Sequence, residues 1–221
     1  DSAYRPRVLR LTAWCHLDGG RTNDAVLAFA EFDLAYEESP AYTQNLLEWG
    51  QTLIALGDFA QASRVLSRLV ERGTDAGLVA IGRLWLARVL IERDQLSNAA
   101  GELEHLTDSS VVDPNLVAQS WFALADVHES MNATNDAVAA LERGLVKANR
   151  ADLAVTGRRR LGLLYLSAGN VSNGVATLKE YVTESPDDPD AGNTQLILAS
   201  ALLEIDEPAS ALDEFQHYLE T

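Results

Sequence analysis

The chain has 221 residues, 47% apolar and 23% charged, enough apolar content for a sizeable core and too much for intrinsic disorder. Its 33 Asp and Glu against 17 Lys and Arg leave a net charge of −16, which argues against nucleic acid or an anionic membrane surface as partner. A single cysteine, Cys15, excludes an internal disulfide and a Cys-rich structural zinc site, and no apolar run approaches the ~18 residues of a membrane span. Met131 is the only methionine, so the chain is expected to be an excerpt or a processed form of a longer one.

Taken in chain order, apolar residues recur at spacings of three and four on both sides of evenly placed turn formers, which predicts paired helices. The first helix of each pair, helix A, is expected over 6–18, 43–56, 77–93, 114–131, 151–168 and 190–205. The second, helix B, is expected over 22–37, 58–72, 95–107, 134–149, 171–184 and 207–220. A small residue precedes an apolar one by four positions at Ala25/Phe29, Ala62/Leu66, Ala99/Leu103, Ala137/Leu141, Gly174/Leu178 and Ala211/Phe215, in steps of 37, 37, 38, 37 and 37. Twelve residues earlier stand Ala13, Gly50, Ala87, Ala125, Gly162 and Ala199, and five earlier stand Gly20, Gly57, Asp94, Asn132, Gly169 and Asp206. Small residues facing each other across a turn let two helices approach at the close end of the ~8–10 Å range. Pro40, Pro114, Pro186 and Pro189 fall between pairs, and Pro208 falls in a first helical turn, where its missing N–H costs nothing.

The second pair carries Leu46, Trp49, Gly50, Leu53, Gly57, Asp58, Phe59, Ala62 and Leu66 in a register that resembles the tetratricopeptide repeat. Trp121 in the fourth, and Gly162, Tyr165 and Pro186 in the fifth, follow the same pattern. The resemblance covers essentially the whole chain and implies an all-α fold: a right-handed superhelical solenoid of six helix-turn-helix hairpins. The units are expected at about 6–40, 41–76, 77–113, 114–150, 151–187 and 188–221, in one solenoid spanning 1–221, because a lone hairpin cannot bury its apolar stripe. The period is 37 where the family has 34. The added residues are expected in the end of helix B and the following loop, with one more between Asp108 and Pro114, so groove geometry does not transfer from the family.

No catalytic constellation, metal site or cofactor motif is expected. His16 and His128 share one register and His105 and His217 another, so the histidines are separated by whole repeats and do not converge as metal ligands must. Cys15 sits where the family takes small residues and is expected as a packed thiol. The run Arg158, Arg159 and Arg160 reads as a solvated face with local ion pairs. Asp187, Asp188 and Asp190 read as an acidic inter-repeat turn, lacking the spacing of a calcium loop.

Tetratricopeptide solenoids line their concave groove with A helices, so the resemblance places a partner-binding groove at Arg10, Trp14 and Asp18; Leu47, Gln51 and Ala55; Leu84, Arg88 and Glu92; Phe122, Asp126 and Glu129; Arg159 and Leu163; and Leu196, Ser200 and Glu204. The family's clamps for acidic chaperone tails use Lys and Asn at the first two registers. Here those registers hold Arg10 and Trp14, then Leu47 and Gln51, so such a tail is disfavoured. The mixture of acids and apolar side chains suits a peptide, an amphipathic helix or a cationic polysaccharide. The leading expectation is a non-enzymatic protein-interaction scaffold. A second is a periplasmic scaffold, since long arrays of this family in Gram-negative bacteria resemble this chain and assist exopolysaccharide export or organise its modifying enzymes. A third is a regulatory module of a larger enzyme or sensor. The uncapped ends, without a polar final helix beyond Phe215 and Leu219, suggest self-association.

Overall fold

The computed structural model describes residues 4–107 and 113–220, so the extra residue expected between Asp108 and Pro114 lies outside the described residues. All described elements are helices: α1 (Arg5–Asp18), α2 (Thr22–Ala35), α3 (Tyr42–Ala55), α4 (Phe59–Arg72), α5 (Ala76–Glu92), α6 (Leu96–Thr107), α7 (Pro114–Ser130), α8 (Thr134–Lys147), α9 (Ala151–Ser167), α10 (Val171–Glu184), α11 (Ala191–Glu204) and α12 (Pro208–Glu220). They form an all-α helical solenoid of hairpins in two compact units, residues 1–112 and 113–221. Within each unit every helix packs on its sequence neighbours, and α3 also meets α5 as α7 meets α9.

Each hairpin turns on one residue in the left-handed region. Gly20, Gly57, Asp94, Asn132, Gly169 and Asp206 have φ between 56° and 75°. These are the six turn formers expected from the periodicity. The backbone N–H after each one reaches back to close the helix: Arg21 to His16, Asp58 to Leu53, Gln95 to Leu90, Ala133 to His128, Asn170 to Tyr165 and Glu207 to Leu202, at 2.8–2.9 Å. Such bonds satisfy carbonyls that a helix end otherwise leaves orphaned.

The small residues lie at the crossings. Ala13, Ala25, Ala62, Ala87, Ala99, Ala125, Ala137 and Ala199 are fully buried. At two crossings a glycine stands on the A helix and a side chain would crowd the facing leucine: a Cβ on Gly50 would stand 2.6 Å from Leu66 Cδ2, and one on Gly162 would stand 2.4 Å from Leu178 Cδ2. Leucines from the B helices thus seat directly on the A-helix backbone, and Phe29, Leu66, Leu103, Leu141 and Leu178 are fully buried at this shared register.

The added residues of the 37-residue period lie in the inter-repeat link, as expected, before α3 and α11, but in helix A itself at α5 and α9, and in no case in a longer helix B. The B helices are no longer than 14 residues, whereas α5 and α9 have 17 and follow three-residue links at 73–75 and 148–150. By contrast α3 and α11 have 14 and follow six-residue links at 36–41 and 185–190. Pro40, Pro186 and Pro189 occupy the long links, and a residue preceding proline is pushed out of the helical region, so helix A cannot extend backwards there. Asp75 instead caps an extended α5, its Oδ1 accepting the Leu78 N–H at 2.9 Å.

Candidate functional site

The A helices present the expected register, but not all of it is surface. In the first unit Trp14 and Asp18 on α1 and Arg88 and Glu92 on α5 are exposed, and Arg10 and Gln51 are half-buried. Leu47 and Leu84, expected as apolar floor of a groove, are buried. In the second unit Asp126, Glu129, Ser200 and Glu204 are exposed and Arg159, Leu163 and Leu196 half-buried. Phe122 is core: it belongs to a cluster with Leu141, Leu161 and Leu164, and its ring fills the space that side chains at Gly144 and Gly157 would need. Leu47, Leu84 and Phe122 are therefore corrected from groove contacts to packing residues, because the close hairpin stacking that small residues permit covers them.

Between α1 and α3 in the first unit a polar network centres on Glu48, a residue the groove register passed over. Its carboxylate is buried, yet it accepts four hydrogen bonds: Arg10 Nε at 3.1 Å and Nη2 at 3.0 Å, Trp14 Nε1 at 3.1 Å and Gln44 Nε2 at 2.8 Å. The two-pronged arginine bond is the geometry that best compensates a desolvated carboxylate. It also ties α3 to α1. The indole, half-exposed at 45%, is thereby oriented by its N–H. Beside it a hollow of about 290 Å³ opens between α1 and α3, lined by Trp14, Leu17, Gln51, Thr52 and Ala55 with Glu48 at its wall.

The second unit repeats this device with the charges reversed. Arg160, at the register of Glu48, reaches from α9 to Asp126 and, at 3.3 Å, to Glu129 on α7. Its neighbours diverge at the ~100° per residue of a helix. Arg159 pairs with Asp190 at 3.2 Å and donates to Thr194 at 3.0 Å, ahead on α11, while Arg158 pairs with Glu184 at 2.6 Å on α10. The basic run makes the ion pairs expected of it, but as a half-buried staple joining three hairpins and not as a solvated face. Two of the five acids expected to charge the groove are consumed by it. Asp18, Glu92 and Glu204 make no ion pair among the described residues. The signal available in the sequence was a charge standing in a register that Trp85 and Ile197 fill elsewhere.

Other expected features also resolve into structure. Asp188 accepts the Tyr181 hydroxyl at 2.7 Å and the Asp190 N–H at 2.9 Å, which organises the acidic inter-repeat turn. The hydrogen bond from Tyr181 holds the Asp188 carboxyl below its ordinary range, and burial, reinforced by that carboxylate, pushes the Tyr181 phenol well up. Tyr165 donates to Glu142, and burial with this bond pushes its phenol up to about 12. Arg88 lies over the Trp85 ring at 5.1 Å and so is held by a cation–π contact. Cys15 is exposed, a correction to the packed thiol expected from the repeat register.

Comparison with known proteins agrees with this architecture. The profile of a tetratricopeptide repeat-like domain matches residues 14–113, and that of a tetratricopeptide repeat matches residues 122–189. No curated protein matches the chain in sequence. Among solved structures, a tetratricopeptide repeat protein from Parabacteroides merdae has a TM-score of 0.70 at 13% identity, covering 97% of this chain and 79% of its own. BtubC from P. vanneervenii has a TM-score of 0.69 at 15% identity over 100% of this chain and 91% of its own. A MamA RS-1 double mutant has a TM-score of 0.67 at 15% identity over 86% of this chain and all of its own. At these identities the likeness is one of fold.

Proposed function

Because the chain belongs to the tetratricopeptide repeat family, we propose that it is a non-enzymatic protein-interaction scaffold that takes a peptide on the inner face of its A helices. The observation carrying this reading is the Trp14 hollow. A half-exposed indole held by a buried carboxylate, beside a cavity the size of one large side chain, is the form of an interface anchor. The lining is mainly apolar, so the anchor it suits is an aliphatic or aromatic side chain. Asp18, one helical turn beyond Trp14 and without an ion pair among the described residues, suits a basic residue next to that anchor. Glu92, exposed on α5 of the same unit, adds to the preference for cationic partners, against the exposed Arg88 one turn earlier.

The test is titration of the chain with peptides pairing one large apolar residue with Lys or Arg, followed by Trp fluorescence. Trp14→Ala should weaken binding at least tenfold, the scale of a modest interface hot spot. Asp18→Asn should weaken it less, in a manner erased by salt. Preference for acidic peptides, or indifference to Trp14→Ala, overturns the reading.

A second reading draws on the same half-exposed indole beside an acid: a partly deacetylated, cationic polysaccharide, as a periplasmic export scaffold would guide. Competition between peptide and polymer for the Trp14 signal separates the two.

A further inference from the structure

Glu48 stands at the wall of the Trp14 hollow, and its carboxylate has no acceptor position to spare. An ionised carboxylate offers about four. Here Oε1 takes Arg10 Nη2 at 3.0 Å and Gln44 Nε2 at 2.8 Å, and Oε2 takes Arg10 Nε and Trp14 Nε1, each at 3.1 Å. The charge is matched as well, because Arg10 and Glu48 form an ion pair at 3.0 Å. A lysine or arginine entering the hollow would give up its water for a wall with neither a free acceptor nor an unmatched charge, and only a partner offsets the desolvation of an ion. The buried acid therefore does not draw a cation inside.

The polar groups that the wall leaves open are neutral. Gln51 and Thr22 line the hollow, are half-buried, and make no side-chain hydrogen bond among the described residues. Thr52 instead directs its hydroxyl hydrogen to the Glu48 carbonyl at 2.8 Å. The Gln51 amide offers both a donor and an acceptor. The rest of the lining is apolar or aromatic: Trp14, Leu17 and Ala55.

Two requirements on an occupant follow. An aromatic ring beside the Trp14 indole gains more than the area it buries, which an aliphatic side chain does not. A wholly apolar ring, however, strips water from the Gln51 amide and returns no hydrogen bond, which costs more than the bond itself is worth. A ring with a neutral polar tip meets both requirements, since a buried phenol needs a partner and the amide supplies one.

We propose that the hollow is a tyrosine pocket: the phenol ring of a partner lies against Trp14 and Leu17, and its hydroxyl exchanges a hydrogen bond with the Gln51 amide. Gln51 thereby sets a preference for tyrosine over phenylalanine. The basic residue that suits Asp18 lies beside the tyrosine and outside the pocket. The proposal rests on the Trp14 hollow being the peptide site, and it adds the identity of the anchor and the residue that reads it.

Calorimetric titration with four peptides tests this, each alike except for an anchor of Tyr, Phe, Leu or Lys next to a constant Lys. The Tyr peptide should bind about five- to tenfold more tightly than the Phe peptide, the scale of one hydrogen bond to a half-buried amide. The Leu peptide should bind more weakly than the Tyr peptide, and the Lys-anchored one about tenfold more weakly or worse. In Gln51→Leu the Phe peptide should bind at least as tightly as the Tyr peptide, whereas Trp14→Ala should weaken both. Equal binding of the Tyr and Phe peptides to the parent, which needs no variant to fold, overturns the proposal and leaves the peptide site standing. So does a Tyr preference that survives Gln51→Leu, or a Lys anchor held as tightly as Tyr. Binding of none of the four, or binding of all four unaffected by Trp14→Ala, overturns the peptide site and the tyrosine pocket with it.

Discussion

Arg160 on α9 is ion-paired with Asp126 on α7, two helices and 34 residues earlier. Both side chains stay partly in water, at 28% and 50% exposure. The pair is therefore a modest link between hairpins, and it neutralises one of the acids expected at the groove register.

A double-mutant cycle with Arg160→Ala and Asp126→Ala should return a coupling of about 0.5 kcal/mol in urea unfolding, shrinking with salt, as partly exposed pairs do. Asp126→Asn should leave binding of a basic peptide to the Trp14 hollow unchanged. A large loss of binding in that variant would restore Asp126 to the role of a ligand contact.

Glu48 sits in a deeper environment, with donors from Arg10, Trp14 and Gln44 converging on it. Glu48→Ala leaves those donors without an acceptor and should cost about 2 kcal/mol, the scale of unsatisfied buried polar groups. Arg10 is 28% exposed and can rehydrate, which keeps the loss well short of a fully buried pair. Glu48→Gln keeps an acceptor and should lose about half as much. Urea midpoints measure both, and released Trp14 should emit at longer wavelength in the alanine variant alone.

Two Gly→Ala substitutions separate backbone strain from crowding. Gly57 has φ +75° and open space around it, so Gly57→Ala should cost about 1 kcal/mol from the left-handed conformation alone, and Gly57→Asn appreciably less. Gly162 is helical, where alanine gains about 1 kcal/mol in propensity, but its new Cβ meets Leu178 Cδ2 at 2.4 Å and Cγ at 2.7 Å. Overpacking of about 1–3 kcal/mol exceeds that gain, so Gly162→Ala should also destabilise. Equal or higher thermal stability of Gly162→Ala would show that the crossing relaxes freely.

The Tyr181–Asp188 bond should make stability depend on pH at both ends of the scale. Asp188 is held below the ordinary carboxylate value of about 3.9, so its contribution is complete above that value and is lost as pH falls through the depressed one. Tyr181 is raised above the ordinary phenol value of about 10, so its contribution is complete below that value and is lost as pH rises through the raised one. The stability difference between the parent and Tyr181→Phe should be largest near neutrality and shrink in acid and in strong base. A difference constant from about pH 3 to 11 would show that the phenol contributes only its ring.

The hairpins themselves were legible in the sequence because their determinants are local. A left-handed turn needs Gly, Asn or Asp within a few bonds of the helix end, and a close crossing needs a small residue at that position, so Gly20 through Asp206 and Ala13 through Ala211 mark the fold wherever the neighbours lie. Pairings across hairpins were not legible in that way. Register places a side chain on a helix face only to within about 100°, and Arg158, Arg159 and Arg160 share one stretch of sequence yet serve three different helices. Leu47 and Phe122 became core, and Glu48 became the support of Trp14, only when the next hairpin settled at the distance its glycines and alanines allow. The periodic sequence determined how many turns there are and where; the stacking distance, a property of two surfaces together, decided which of the register-matched residues stay exposed and which are buried.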